Sequence, residues 1–236
     1  MRAERPNDTR RLSLAAGVLF LITFITSIPA LGLFQPVLDD PAGYIAGAGQ
    51  DSRIYFAVAL ELILIVANIG TAVVLFPLLK RQSEMLSLGY VTARIVECMF
   101  IAAGILCVLG IVSLRQADPG AASLAVSLSD IKDWTFLLGP GVIVGIGNGL
   151  ILGYLMYRSE LVPRAMAMLG LVGGPLLLAA GIGVLFGLFE PGGTVQSIAT
   201  VPEFLWELSL GIYLTVKGFK PSPSARDTRA LLQPAT

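Results

Sequence analysis

The fold is decided by residues 89–114, which read GYVTARIVECMFIAAGILCVLGIVSL. A bilayer-spanning helix needs about 20 mostly apolar residues. This stretch meets that length, and its charged members are Arg94 and Glu97. Ionisable groups at membrane depth are costly, about 2.5–3.5 kcal/mol each on insertion scales, so they are functional candidates by default. The stretch therefore predicts a membrane helix that carries charge within its span.

The rest of the chain repeats this apolar pattern. Hydrophobic residues make up 55% of the 236 residues and charged residues only 14%, whereas soluble domains are about 25% charged. The sequence predicts an all-α integral membrane bundle of six transmembrane helices. The predicted spans cover 12–34, 54–79, 89–114, 134–157, 162–188 and 198–216.

The basic residues predict the orientation of this bundle. If the N-terminus is cytoplasmic, most lysines and arginines fall in cytoplasmic segments. The outer loops then hold few of them, namely Arg53, Arg115 and Lys132. This positive-inside bias predicts that both termini are cytoplasmic and that the protein lies in the bacterial cytoplasmic (inner) membrane.

The segments outside the spans support this division. Residues 1–11 form a predicted cytoplasmic N-terminal segment, 12–219 the transmembrane domain, and 220–236 a disordered cytoplasmic tail. Arg10-Arg11 before an apolar run resembles a secretory signal, but the run is too long for one, so an uncleaved first span is predicted. Residues 121–131 form either a short amphipathic helix on the outer surface or a plain polar loop.

The composition excludes several chemistries. The chain contains no histidine, which rules out His-ligated zinc or haem, Ser-His-Asp triads and Cys-His dyads within it. The net charge of zero argues against a nucleic-acid partner. Cys98 and Cys107 lie on roughly opposite faces of one helix and cannot pair with each other. We therefore expect no metal, no cofactor and no enzymatic activity.

The candidate site residues form polar stripes on predicted spans two, three and six. The predicted surroundings of these spans are the lipid bilayer. Residues three, four or seven apart share a helix face. The residues that satisfy these spacings are Glu61, Asn68, Tyr90, Arg94, Glu97, Glu203 and Glu207. The most economical arrangement brings the three stripes together inside the bundle, where they would form a site for a small ligand or cation.

Charge counting sharpens this expectation. Three deep carboxyl groups, those of Glu61, Glu97 and Glu207, face one deep guanidinium. Either a carboxyl stays protonated through desolvation, or a cationic ligand completes the site. We predict that Arg94 pairs with Glu97 or Glu207 and that Glu61 is the protonated member. Two alternatives stay open: Arg94 reaches the membrane interface, or the charges form a purely structural ion-pair network.

Glycines mark the predicted close contacts between helices. Gly141, Gly145, Gly149 and Gly153 recur every four residues on predicted span four, in the small-xxx-small pattern. A second cluster lies at 170–181 on span five.

From the predicted polar site, the leading function is a protein that binds or moves a small ligand or ion. The alternative is a structural or regulatory subunit that docks through helices 4 and 5 in a homo- or hetero-oligomer.

Several stretches also carry a family resemblance. They read GYVTARIVE at 89–97, DW at 133–134 with GP at 139–140, YRS at 157–159 with VPR at 162–164, and PEF at 202–204, leading to KGF at 217–219. In their order and spacing the chain resembles the bacterial membrane-protein family known as domain of unknown function 4386. The resemblance implies a polytopic membrane protein and no particular activity. It draws attention to Arg94, Glu97 and Glu207, which lie within the matching stretches.

Overall fold

The computed structural model describes residues 6–117 and 120–220, which are helical and contain no strand. The first four helices are α1 (Pro6–Asp39), α2 (Pro41–Ile45), α3 (Asp51–Leu79) and α4 (Glu84–Ala117). The next long helix consists of α5 (Ala122–Phe136), two π-helical segments (Leu137–Ile143 and Gly145–Leu152) and α6 (Gly153–Ser159). It is followed by α7 (Arg164–Leu185) and α8 (Thr194–Val216). Residues 1–5 of the predicted N-terminal segment and 221–236 of the predicted tail lie outside the described residues. Residues 6–11 of that segment belong to α1, which therefore begins before the predicted first span.

Within these ranges, five helices are long and apolar enough to cross a membrane. They are Asp8–Asp39, Asp51–Leu79, Glu84–Ala117, Ala122–Ser159 and Arg164–Leu185. The sixth predicted span, α8, is also a helix but is not one of these five. Glutamate, glutamine and hydroxyl side chains interrupt its apolar residues and lower its hydropathy. The chain is thus an all-helical membrane protein, and six spans stay a prediction.

The long helices of the described part pack in a ring that follows their order in the chain. Each packs against the next, and the ring closes where α8 packs against α1. Their directions alternate, because short connections join successive helices. One end of the ring, the basic end, carries Arg10, Lys80, Arg158, Arg164 and Lys217. The opposite end, the acidic end, carries Asp39, Asp51, Asp130 and Glu190.

Both ends are fastened by side chains. At the basic end, Arg10 donates hydrogen bonds to the carbonyl oxygens of Leu214 (3.0 Å) and Thr215 (2.8 Å) in the last turn of α8. A cation suits that position because the carbonyl groups of the last helical turn have no intrahelical partners. These contacts align the beginning of α1 with the end of α8.

At the acidic end, Asp51 joins three segments. One carboxylate oxygen accepts hydrogen bonds from the Tyr44 hydroxyl at 2.6 Å and from Arg115 at 3.0 Å. The Arg115 guanidinium also lies over the Tyr44 ring, 4.4 Å from its centroid. Burial and the hydrogen bond to Asp51 raise the pKa of Tyr44 to about 12. This cluster holds α2 and the ends of α3 and α4 together.

The structure corrects the expectation for residues 121–131. They form neither a separate surface helix nor a plain loop, because α5 runs directly into the fourth predicted span. Ala125 and Ser129 of α5 are buried against the bundle. The Ser129 hydroxyl donates to the Leu38 carbonyl oxygen at 3.1 Å. The helix therefore begins earlier than its apolar residues suggest.

The predicted glycine clusters pack against each other inside the chain. A β-carbon at Gly145 would lie 2.8 Å from the carbonyl oxygen of Gly174, and one at Gly173 would lie 2.6 Å from the Glu203 nitrogen. Gly149 also packs against Gly174. These glycines let the fourth long helix, α7 and α8 approach closely. Docking of a partner through helices 4 and 5 stays a prediction.

Candidate functional site

A cavity of about 430 Å³ lies in the centre of the ring. At the acidic end its lining includes Asp133, which is exposed, and Gln196, near the start of α8. Deeper in the bundle it is lined by Asn68, Arg94 and Glu207. We call this space the central cavity. It extends from the acidic end to the charged residues in the middle of the helices.

We call the inner end of the central cavity, where the charged residues lie, its floor. On one side of this floor, side chains of α3 and α4 form a closed hydrogen-bonded cluster. Arg94 donates to Glu97 at 2.7 Å and to the side-chain oxygen of Asn68 at 2.7 Å. The Asn68 amide in turn donates to the other Glu97 oxygen at 3.0 Å. All three residues are buried, Arg94 to within 2% exposure. The predicted pairing of Arg94 with Glu97 is confirmed, and the alternative that Arg94 reaches the interface is wrong.

A second buried ion pair joins α5 to α3. The Lys132 ammonium donates to both oxygens of Glu61, at 2.8 and 3.1 Å, and both residues are buried. Gly104 of α4 makes room for the lysine, because a β-carbon there would lie 2.9 Å from the ammonium nitrogen. The placement of Lys132 in an outer loop was therefore wrong. The ammonium gives Glu61 a cationic partner that the sequence did not predict, and the protonation of Glu61 stays a prediction.

Two carboxyl groups on α8 lie on the other side of the floor. Glu203 is 2% exposed, and neither of its carboxyl oxygens has a hydrogen-bond partner within the described residues. Its side chain is not at the membrane interface but fits between Gly149 and Gly173. Glu207, one turn further along α8, is half-buried and accepts a hydrogen bond from the Asn148 amide. In the described part of the chain, neither carboxyl forms an ion pair.

The structure brings together most of the predicted site residues. Six of the seven line the central cavity, namely Glu61, Asn68, Arg94, Glu97, Glu203 and Glu207. Tyr90 does not line it: this tyrosine is fully buried, and its hydroxyl has no hydrogen-bond partner among the described residues. Tyr90 belongs to the core that packs the basic half of the bundle.

Residues 15–218 match the family described as a domain of unknown function, DUF4386. The match covers most of the chain. The chain belongs to the DUF4386 family. Searches of curated proteins and of solved structures find no match to it. The match to the family model confirms the resemblance seen in the sequence. Since the family description carries no activity, the function of this DUF4386 protein has to be argued from its cavity.

Sequence reasoning missed two residues of this DUF4386 site. Lys132 was placed outside the membrane because it precedes the apolar run, although residues 122–136 contain no glycine or proline to end a helix. Asn148 was overlooked among glycines, although an amide in an apolar span is itself a polar signal. Its backbone carbonyl oxygen accepts a hydrogen bond from the Trp206 indole nitrogen at 3.0 Å, and its side-chain amide donates to Glu207. Asn148 thus links the fourth long helix to α8.

The charge balance of the deep site is now explicit. Its cations are Arg94 and Lys132, and each has a carboxylate partner. The acids left over are Glu203 and Glu207, so ionised carboxylates would still outnumber cations by two. The excess that the sequence predicted is therefore present, but it lies on α8. Glu61 does not contribute to it.

Proposed function

We propose that this DUF4386 protein is a six-span protein of the bacterial cytoplasmic membrane, without enzymatic activity, that binds or moves a small ligand or ion through its central cavity. The observation that carries this proposal is the pair Glu203 and Glu207. These carboxyl groups lack a basic partner within the described residues and line a cavity of about 430 Å³. A cavity of that volume lies in the range of small-molecule sites, about 300–1,000 Å³.

The physical reason is the cost of unbalanced charge at membrane depth. A carboxylate in a low-dielectric interior is stabilised only by a nearby positive charge or by hydrogen bonds. Arg94 and Lys132 already serve Glu97 and Glu61. A positively charged ligand or ion beside Glu207 and Glu203 would supply the missing charge. The two closed pairs would then act as the rigid frame around the binding position.

Ligand-dependent thermal stabilisation of the purified full chain tests this function. Sodium, potassium, magnesium and a set of small organic cations would be screened over a range of pH. We expect at least one of them to raise the melting temperature of the natural protein. The increase should be lost in Glu203→Gln and Glu207→Gln and should persist in Glu190→Gln, which changes an exposed acid outside the central cavity.

Two results would overturn the proposal. In the first, no cation in the screen stabilises the natural protein at any pH. In the second, the stabilisation has the same size in the two cavity variants as in the natural protein. Either result would leave Glu203 and Glu207 as structural groups.

The proposed topology has its own test. Both termini and the basic end would face the cytoplasm, as supported by the separation of basic from acidic residues between the ends of the ring. Single cysteines would be introduced as Ala48→Cys at the acidic end and Met85→Cys at the basic end, both exposed positions. An impermeant maleimide should label the first in intact cells and the second only after permeabilisation. The opposite pattern would reverse the orientation.

A further inference from the structure

The walls of the central cavity differ chemically from its floor. Four phenylalanines line the walls, namely Phe24, Phe34, Phe136 and Phe204. Phe24 and Phe204 meet edge to face, with ring centroids 5.1 Å apart. Aliphatic side chains such as Ile28 and Leu31 line the cavity beside them. The cavity thus combines apolar, aromatic walls with two carboxyl groups on α8.

One of these rings already contacts an ammonium group of the protein itself. The Lys132 nitrogen lies over the Phe34 ring, 5.0 Å from its centroid, while it also pairs with Glu61. Aromatic faces attract cations, by about 0.5–1 kcal/mol when exposed and about 2 kcal/mol or more when desolvated. A carboxylate and a phenyl ring thus together hold one alkylammonium group in this cavity, that of the Lys132 side chain itself. Glu207 and Phe204 offer the same two groups nearby.

The donors around Glu207 fit a metal ion poorly. Calcium takes six to eight oxygen ligands, and magnesium needs a nearly octahedral set. Among the described residues, no group of three or more acidic or cysteine side chains is placed to hold a metal ion, and phenyl rings line the cavity wall. An ion with hydrocarbon substituents would instead bury those substituents against the rings. Burial of apolar surface stabilises by about 25 cal/mol per Å².

We propose that the central cavity binds an organic ammonium ion, with the charged nitrogen beside Glu207 and Glu203 and the apolar substituents against Phe24, Phe136 and Phe204. This inference rests on the proposed function and specifies its ligand class. Glu207 is the first contact because it is half-buried, whereas Glu203 is 2% exposed and adds negative charge. The neighbouring Arg94 and Lys132 stay paired with their own carboxylates.

The test uses the purified full-length protein and a matched set of probes. Benzyltrimethylammonium carries a quaternary nitrogen and a phenyl ring. Neopentylbenzene has the same shape without the charge. Sodium and magnesium chlorides supply inorganic cations without hydrocarbon. Melting temperature as a function of probe concentration gives an apparent affinity for each.

We expect benzyltrimethylammonium to stabilise the natural protein at much lower concentration than sodium or magnesium, and neopentylbenzene to have little effect. Glu207→Gln and Glu203→Gln should each weaken its binding at least about tenfold, because each removes a buried charge partner. Phe204→Leu should weaken it about threefold to thirtyfold through loss of the ring face. Phe56→Leu, an exposed position outside the cavity, is the control and should change nothing.

The outcomes separate this inference from the proposed function. Stabilisation by sodium or magnesium that depends on Glu207, together with no effect of benzyltrimethylammonium, would overturn the organic-cation class and leave the cation site standing. Equal stabilisation by neopentylbenzene would also overturn it, because the charge would then play no part. If no probe acts, or if the two glutamine variants respond like the natural protein, both conclusions fail together.

Discussion

The two sides of the cavity floor differ in whether their charged groups have partners. On α3 and α4, Arg94, Glu97 and Asn68 form a closed cluster in which both Glu97 oxygens accept a hydrogen bond. On α8, Glu203 has no hydrogen-bond partner in the described part of the chain, and Glu207 relies on an amide. Depth alone therefore does not separate structural from functional charge. Paired charges hold helices together, and we propose that the unpaired carboxyl groups bind the ligand.

The largest expected effect comes from opening the closed side. Arg94→Leu leaves the buried Glu97 carboxylate without its cation, which should lower the free energy of unfolding by about 3–5 kcal/mol. The double variant Arg94→Leu/Glu97→Leu should recover much of this loss, because no unpaired charge remains. Unfolding of the purified protein in mixed micelles measures both. An unchanged stability of the single variant would show that the cluster does not hold α3 to α4.

A smaller effect is expected where glycine brings α7 close to Glu203. Gly173→Ala places a methyl group 2.6 Å from the Glu203 backbone nitrogen, so α8 has to move. Such overpacking costs about 1–3 kcal/mol of unfolding free energy. Gly32→Ala is the matched control, because a β-carbon there would meet nothing within 4 Å. If both variants have equal stability, the close contact between Gly173 and Glu203 does not fix the position of α8 against α7.

The acidic end extends the comparison to a paired site near the helix ends. Tyr44→Phe removes the hydrogen bond to Asp51, at a cost of about 0.5–1.5 kcal/mol near neutral pH. The raised pKa, about 12 against an ordinary 10.0, means that the neutral hydroxyl is favoured in the folded protein. This contribution is complete below pH 10 and is lost as the pH rises towards 12. The stability difference between natural and variant protein should shrink over that interval, as followed by unfolding at each pH.

The smallest expected change in stability lies on the open side. Glu203→Gln removes a carboxyl that has no partner among the described residues, so the free energy of unfolding should stay the same or rise by up to about 1 kcal/mol. Glu97→Gln is the matched comparison. In this variant the free energy of unfolding should fall, because the Glu97 carboxylate accepts two hydrogen bonds. Unfolding measured without added ligand distinguishes them. A large loss in Glu203→Gln would place that group among the structural ones.

Local spacing explains which parts of this site could be predicted. Arg94 and Glu97 are three residues apart on one helix, so their contact follows from helix geometry. Lys132 and Glu61 are 71 residues apart, and their contact requires α5 to extend beyond its apolar run and Gly104 to leave space. Neither condition is visible as a hydrophobicity signal. The lysine partner of Glu61 was missed for that reason.

The sequence alone determined that this chain is an apolar, helical membrane protein of the DUF4386 family, and it identified most of the side chains that bring charge into its interior, although not Lys132. These properties depend on composition and on spacing along single helices, so they can be read without knowing how the helices pack. Only the tertiary structure decided which charges have partners. Partnership depends on distances between helices of a few ångströms, set by glycines such as Gly104, Gly149 and Gly173. The same packing leaves Glu203 and Glu207 facing a cavity.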